Sequence, residues 1–252
     1  HEGTLEGVRV VLVQCGVGKV NAALCAQIMI SVFGVTHIVN TGIAGSLCAE
    51  LDIGDLVVSK DAMYHDFDCV HFGYEMGRVP GMYVTAFPAD ATMVEKAFAV
   101  ADAVHPGHAK IGRVATGDLF VATKPAKEAI IEKTGALCTE MEGAAIAHVA
   151  YRNGVPFVII RAISDKADNS AEMDYPVFEQ QAAHRCAADA AECRPYGNAQ
   201  ADFAFFEVLD AGCNQSRAAR KLVGADGVVG GQSRKQICGQ SDKTAAEESP
   251  RR

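Results

Sequence analysis

Pro156-Phe157-Val158-Ile159-Ile160-Arg161-Ala162-Ile163-Ser164-Asp165 is the stretch on which the fold turns. Between Pro156 and Ser164 only Arg161 interrupts an unbroken apolar run, too short for a buried helix and rich in β-branched residues, so it reads as a strand. Its hydrophobicity is continuous rather than alternating, which requires cover on both faces, as in a sheet sandwiched between helices. Working back from it, Glu142–Asn153 reads as a helix of small residues entered from a strand at Leu137–Met141. Lys124–Lys133 and Ala89–Val104 read as helices either side of a strand at Ala109–Ala115. A loop punctuated by Gly and Pro, residues 72–88, separates these from a strand at Asp55–Met63. Further back lie a strand at His37–Asn40, a helix at Lys19–Phe33 and a strand at Val8–Gln14. Strands and helices alternate throughout, which predicts an α/β protein: a three-layer α/β/α sandwich with a central mixed sheet.

Composition agrees. The 252 residues are 49% hydrophobic and 21% charged, enough to bury one large core. Twenty-three Lys and Arg stand against 31 Asp and Glu, a formal charge of −8, so the overall field repels phosphate backbones and anionic lipid. No nucleic-acid or membrane partner is expected. There is no run of 18 apolar residues, and the first residues carry neither a basic nor an apolar signal region, so the cytoplasm is the expected compartment. The nine cysteines are odd in number, several lie in apolar runs, and none are spaced C-x-x-C, which fits reduced thiols. The alternating pattern stops near Cys186. Residues 1–186 are therefore read as one domain, and 187–252, with scattered Gly, Ala, Gln, Ser and Arg, as a poorly structured tail.

Three motifs invite chemistry. Gly16-Val17-Gly18-Lys19 suggests a phosphate loop, but a Walker A loop would need Gly at Val13 and Ser or Thr at Val20, and a dinucleotide fingerprint would need Gly at Asn21. A tight strand-to-helix turn that lets a ligand approach is the better reading. Tyr64-His65-Asp66-Phe67-Asp68-Cys69-Val70-His71 mixes possible metal ligands without a second cluster, so it reads as a hydrogen-bonded loop at a binding edge and no metal or cofactor is expected. The third is split between two strand ends: Glu140-Met141-Glu142 closes one strand, Ser164-Asp165 closes another. Ligands in open α/β sheets sit outside the carboxyl ends of strands, where these acids fall. Helix capping would account for Asp165 but poorly for Glu142.

Seven segments then fall in one order: Asn40-Thr-Gly-Ile-Ala-Gly45, Asp52-Ile-Gly-Asp-Leu-Val-Val-Ser59, Tyr64-His-Asp66, Phe72-Gly-Tyr74, Thr116-Gly-Asp-Leu-Phe120, Glu140-Met-Glu142 with Ala145-Ile-Ala-His148, and Arg161-Ala-Ile-Ser-Asp165. Together they resemble the 5′-methylthioadenosine/S-adenosylhomocysteine nucleosidases of the nucleoside phosphorylase superfamily, over about residues 3–186. The resemblance implies a nucleoside phosphorylase-like fold and hydrolysis of the N-glycosidic bond of 5′-thio-substituted adenosines, giving adenine and a thioribose. It implies that Asp165, supported by Ser164, protonates N7 of the leaving base, for which it must carry a proton near neutral pH, and that ionised Glu142 holds the ribose hydroxyls. Phe120 would stack on the adenine, Val121 would offer backbone groups to its edge, and Met141 would lie under the ribose. Glu140, Ile43, Ala44 and Gly45 would complete the site, with Arg161 supporting it. Val17, Tyr175 and, from the second subunit of a homodimer, Phe72, Tyr74 and Pro80 would enclose the 5′-alkylthio group.

Phosphorylases of the superfamily hold phosphate with an Arg and a Ser where this chain has Asn40 and Ile43, which favours water as the nucleophile. A related purine nucleoside phosphorylase, a futalosine hydrolase or a catalytically impaired nucleoside-binding remnant are the alternatives. The resemblance also implies a strand ahead of residue 1 whose end carries a water-activating Glu. Neither Glu2 nor Glu6 falls at the matching place, and that role is assigned to no residue here.

Overall fold

In the computed structural model the central strand β8 (Phe157–Asp165) is buried along all nine residues. The structure describes residues 1–5 and 8–168, and the backbone of 203–207. Before β8 come β1 (Glu2–Leu5), β2 (Val8–Gln14), α1 (Lys19–Phe33), β3 (His37–Ser46), β4 (Leu56–Tyr64), β5 (Phe87–Pro88), α2 (Ala91–Val104), β6 (Ala109–Thr116), α3 (Lys124–Thr134), β7 (Cys138–Glu140) and α4 (Gly143–Asn153). After it comes β9 (Phe203–Glu207).

The two faces of β8 explain its continuous hydrophobicity. Phe157, Ile159 and Ile163 pack with Ala22, Ala26 and Met29 of α1 and Ala144–Ala147 and Ala150 of α4. Val158, Ile160 and Ala162 pack on the other side with Val94, Ala97 and Ala101 of α2. Each fully buried Val or Ile contributes about 1.5–3 kcal/mol, so this strand anchors both layers. The small side chains of α4 let it lie close against the sheet. A smaller third cluster, Leu47, Ala115, Val121, Ile130, Ala136 and Ala167, seats α3.

Local signals place the helix ends. The Asp90 carboxylate accepts the Met93 N–H at 2.9 Å and starts α2. Glycines in left-handed conformation, Gly34, Gly135 and Gly154, close α1, α3 and α4. No helix among the described residues is long and apolar enough to cross a membrane.

The sheet is mixed, and it does more than separate two layers. β8 runs parallel to β3 and antiparallel to β4, β4 pairs with β6 in parallel, β6 with β7 in parallel, and β7 returns to β3 antiparallel through Gly45↔Thr139 and Ser46↔Cys138. These five strands close on themselves. As a result the ends of β3, β7 and β8 meet at one mouth, whereas a flat sheet would spread them out. On the far side of β3 the sheet continues through β9 and β2 to β1 at the edge. β9 lies parallel to both neighbours, with Val39 opposite Phe205 and Val11 opposite Ala204. The backbone of 203–207 thus belongs to the sheet, a pairing not anticipated for the tail. The rest of residues 187–252 lies outside the described residues, as do 169–186.

Candidate active site

The mouth of the closed strands opens into a cleft. Val17, Ile43, Ala44, Gly45, Phe120, Val121, Glu140, Met141, Glu142, Ser164 and Asp165 line it, and so do two residues not expected from the sequence, Leu119 and Thr139. Arg161 lies behind the wall, fully buried. Phe72, Tyr74 and Pro80 sit on the loop between β4 and β5 and do not line this chain's cleft. Tyr175 lies outside the described residues.

Asp165 ends β8, 3% exposed. Its Oδ1 accepts the Ala167 N–H at 2.7 Å and its Oδ2 accepts the Ser164 hydroxyl at 2.8 Å. The Ser164 oxygen is also 3.4 Å from the Ala44 carbonyl, so its single proton has two possible acceptors. A proton on Asp165 could therefore be donated to Ser164 while the hydroxyl turns to Ala44. The acid is fixed by a tight turn in which Ala167 takes φ 50. Gly45 faces that turn, and a Cβ there would come within 2.8 Å of the Ala167 Cβ and 2.9 Å of Asp165 Oδ1. Only glycine fits at that point of β3.

Glu140 and Glu142 share β7's end but have different surroundings. Glu140 is tied down on every side: Thr116 Oγ1 and Arg161 Nη2 both donate to it, as do the Gly143 and Glu142 N–H groups at 2.7 and 3.2 Å. Arg161 Nη2 also donates to Asn40 Oδ1 at 2.6 Å. Asn40 is thus engaged behind the wall. Glu142 opens α4 without capping it and turns into the cleft instead. It accepts the Gly18 N–H at 2.9 Å and stands 3.8 Å from Arg161. Burial, and then the neighbouring Glu140 charge, push its carboxyl up to about 7 against the pull of Arg161 and the Gly18 amide. Gly18, at φ 94, allows the backbone to present that amide. The Gly16–Gly18 turn thus brings the chain close to the cleft, as its glycines suggest.

Among the described residues that line the cleft three are acids and none is basic. Such a wall suits a neutral polar ligand with a proton-accepting atom and hydroxyl donors, and disfavours a bound phosphate. Leu119 was legible only as the neighbour of Phe120. Thr139 carries no sequence signal, because its place in the cleft comes from the two-residue pairing of β7 with β3; its buried Oγ1 meets no hydrogen-bond partner among the described residues.

The fold and the paired acids at the strand ends define a class: the sequence model of the Phosphorylase superfamily matches residues 1–193, and the chain belongs to that superfamily. It is 44% identical over 202 residues to the 5′-methylthioadenosine/S-adenosylhomocysteine nucleosidase of Treponema pallidum (strain Nichols), covering 71% of this chain and 75% of the relative. Within the superfamily the chain belongs to the 5′-methylthioadenosine/S-adenosylhomocysteine nucleosidases. Solved structures agree. The Streptococcus pneumoniae nucleosidase with the transition-state inhibitor MT-ImmA superposes with a TM-score of 0.73 at 35% identity, covering 77% of this chain and 84% of that one. The futalosine hydrolase of Helicobacter pylori strain 26695 superposes with a TM-score of 0.74 at 33% identity, covering 77% and 82%.

Proposed function

We propose that this chain hydrolyses the N-glycosidic bond of 5′-methylthioadenosine and S-adenosylhomocysteine, releasing adenine and the thioribose. The observation that carries the reading is the meeting of Asp165 and Glu142 in one cleft that holds no basic residue among the described lining, with Glu140 already tied down by Arg161 and Thr116. Breaking the bond from C1′ to N9 leaves the electron pair on the base and positive charge on the sugar. Asp165 gives its proton to N7, so the base departs neutral, and Ser164 holds the carboxyl in line. Glu142 accepts hydrogen bonds from the ribose hydroxyls; those donors favour its ionised form, and the resulting charge stabilises the cationic sugar. Water adds to C1′, and the proton it releases leaves to solvent, from which the Asp165 carboxylate is reprotonated for the next turnover. Phe120 forms a flat wall for the purine, Met141 lies under the ribose, and Arg161 holds Glu140 so that the strand end carrying Glu142 is fixed.

The decisive assay is adenine release from methylthioadenosine with and without phosphate, with futalosine and inosine as competing substrates. Release independent of phosphate is expected. Release that requires phosphate would favour the phosphorylase, a preference for futalosine the related hydrolase, and binding without release the impaired binding protein.

The reading includes a homodimer, and the exposed face of α1 supports it. Val20, Leu24, Ile28 and Val32 are 42–69% exposed and repeat at four-residue spacing, so they form one apolar stripe. A shallow hollow lined by Lys19, Val20, Ala23, Leu24, Gln27, Tyr64 and Ala145 adjoins it. Phe72 is 81% exposed and Val17, on the cleft wall, 44%, so a partner's Phe72, Tyr74 and Pro80 have an open 5′ side of the cleft to close. Leu24→Glu puts a charge in the middle of the stripe. It is expected to give a monomer by sedimentation velocity, with a raised KM for methylthioadenosine and little change in adenine affinity. A dimer that survives Leu24→Glu would place the interface elsewhere.

A further inference from the structure

Lys19, the first residue of α1, ties together three loops at the cleft. Its Nζ lies 2.6 Å from Asp66 Oδ2 and 3.6 Å from Asp118 Oδ2. Its backbone N–H donates to Asp118 Oδ1 at 2.9 Å, and the Asp118 N–H donates to Asp66 Oδ2 at the same distance. Tyr64 lies beneath the ammonium, 5.5 Å from ring centroid to Nζ. The three groups form a closed ring of contacts, none of which touches the cleft.

The loops they join do touch it. Lys19 follows Val17 and Gly18, one a wall of the cleft and the other the donor to Glu142. Asp118 precedes Leu119, Phe120 and Val121, the opposite wall. Asp66 begins the segment that leads to Phe72 and Tyr74. We propose that Lys19 is a positioning residue: by clasping Asp66 and Asp118 it sets the separation of the Val17–Gly18 and Leu119–Val121 walls, and with it the seat of the purine ring. The proposal rests on the nucleosidase reading for the identity of the ring.

The clasp's exposure makes it testable. In the single chain the side chains of Lys19, Asp66 and Asp118 are 23%, 28% and 48% exposed, so salt screens the pairs; Lys19 also lines the hollow beside α1, so each variant is compared with wild type at matched oligomeric state by sedimentation velocity. Adenine is uncharged. A salt dependence of its affinity would therefore report on the walls that hold it rather than on attraction of the ligand.

The experiment measures adenine binding by calorimetry at low and high ionic strength, and adenine release, for wild type, Lys19→Met and Lys19→Arg. Lys19→Met is expected to weaken adenine binding about tenfold and to lower kcat/KM by up to roughly 10²-fold, the scale of a misplacement of about 1 Å. Wild-type affinity should fall as salt rises, Lys19→Met should be nearly flat, and Lys19→Arg should recover most of the loss. Wild-type affinity and salt response in Lys19→Met overturn the proposal. Should Lys19→Met fail to fold, Asp118→Asn decides, since it keeps an acceptor for the Lys19 N–H and removes the charge facing Nζ. A smaller loss of affinity with a reduced salt response supports the clasp, and wild-type behaviour overturns it. A wild-type chain that binds adenine but releases none refutes the nucleosidase reading, and the binding data still decide the clasp. One that does not bind adenine refutes both.

Discussion

Asp165→Asn is expected to lower kcat for adenine release by roughly 10²–10⁴-fold while changing adenine affinity by only a few-fold, the range for loss of a positioned general acid. The substitution is nearly isosteric, and the site accommodates an amide. Its oxygen can still accept the Ala167 N–H, now 2.7 Å from Oδ1. Its NH₂ can donate to the Ser164 oxygen, freeing the hydroxyl to turn to the Ala44 carbonyl 3.4 Å away. The turn at Ala167 and the close approach of Gly45 are therefore kept. An amide can donate a hydrogen bond to N7 but cannot hand over a proton, so the ground state is held and the departing base keeps its negative charge. Steady-state adenine release read beside adenine calorimetry separates the two effects. Unchanged kcat would take the acid role from Asp165, and a loss confined to KM would make it a binding residue only.

The residues that ended strands were legible because their physics is local. Pro156–Ile163 could be placed from its continuous apolar run, and Asp165 from standing at the end of it. Glu142 drew notice because a carboxylate at a helix start that is not needed as a cap has to be doing something else, and in the structure it turns from α4 into the cleft. Arg161 could be assigned behind the site but not given partners, because Asn40 lies 121 residues away and meets it only through the parallel pairing of β3 with β8. The closure of the sheet was not legible either. It depends on two residue pairs between β3 and a three-residue β7, too short for a periodic signal. Thr139 enters the cleft through that closure and was missed with it. The Lys19 clasp joins positions 19, 66 and 118 by partly exposed charges, a pattern that in sequence looks like any solvated surface. β1 and β9 were missed for related reasons: four and five residues make no recognisable period, and both gain their pairing from β2.

Arg161→Met is expected to destabilise the fold by about 3–5 kcal/mol at pH 8, the scale for stripping one partner from a buried ion pair. The methionine can fill much of the space, but two carboxyls, Glu140 and Glu142, 7% and 2% exposed, are left without their cation. The sign of the pH dependence follows from proton binding. Glu142 already titrates at about 7 in the folded chain, against 4.5 for an ordinary glutamate, and the guanidinium is among the influences that hold it that low. A raised carboxyl contributes stability that is fully present below the unfolded value and is lost as the pH rises through the folded one. Removing Arg161 moves the Glu142 carboxyl further in that direction, so the variant should lie closest to wild type near pH 5 and fall away between pH 5 and 8. Urea unfolding at the two ends of that range measures the difference. Adding Glu140→Gln to Arg161→Met removes one of the stranded charges while keeping an acceptor for Thr116, and should recover part of the loss at pH 8 in a double-mutant cycle. An Arg161→Met chain as stable as wild type at pH 8 would mean that water reaches the base of the cleft and solvates the two acids, and Arg161 would then owe its place to the geometry of Glu140 rather than to charge.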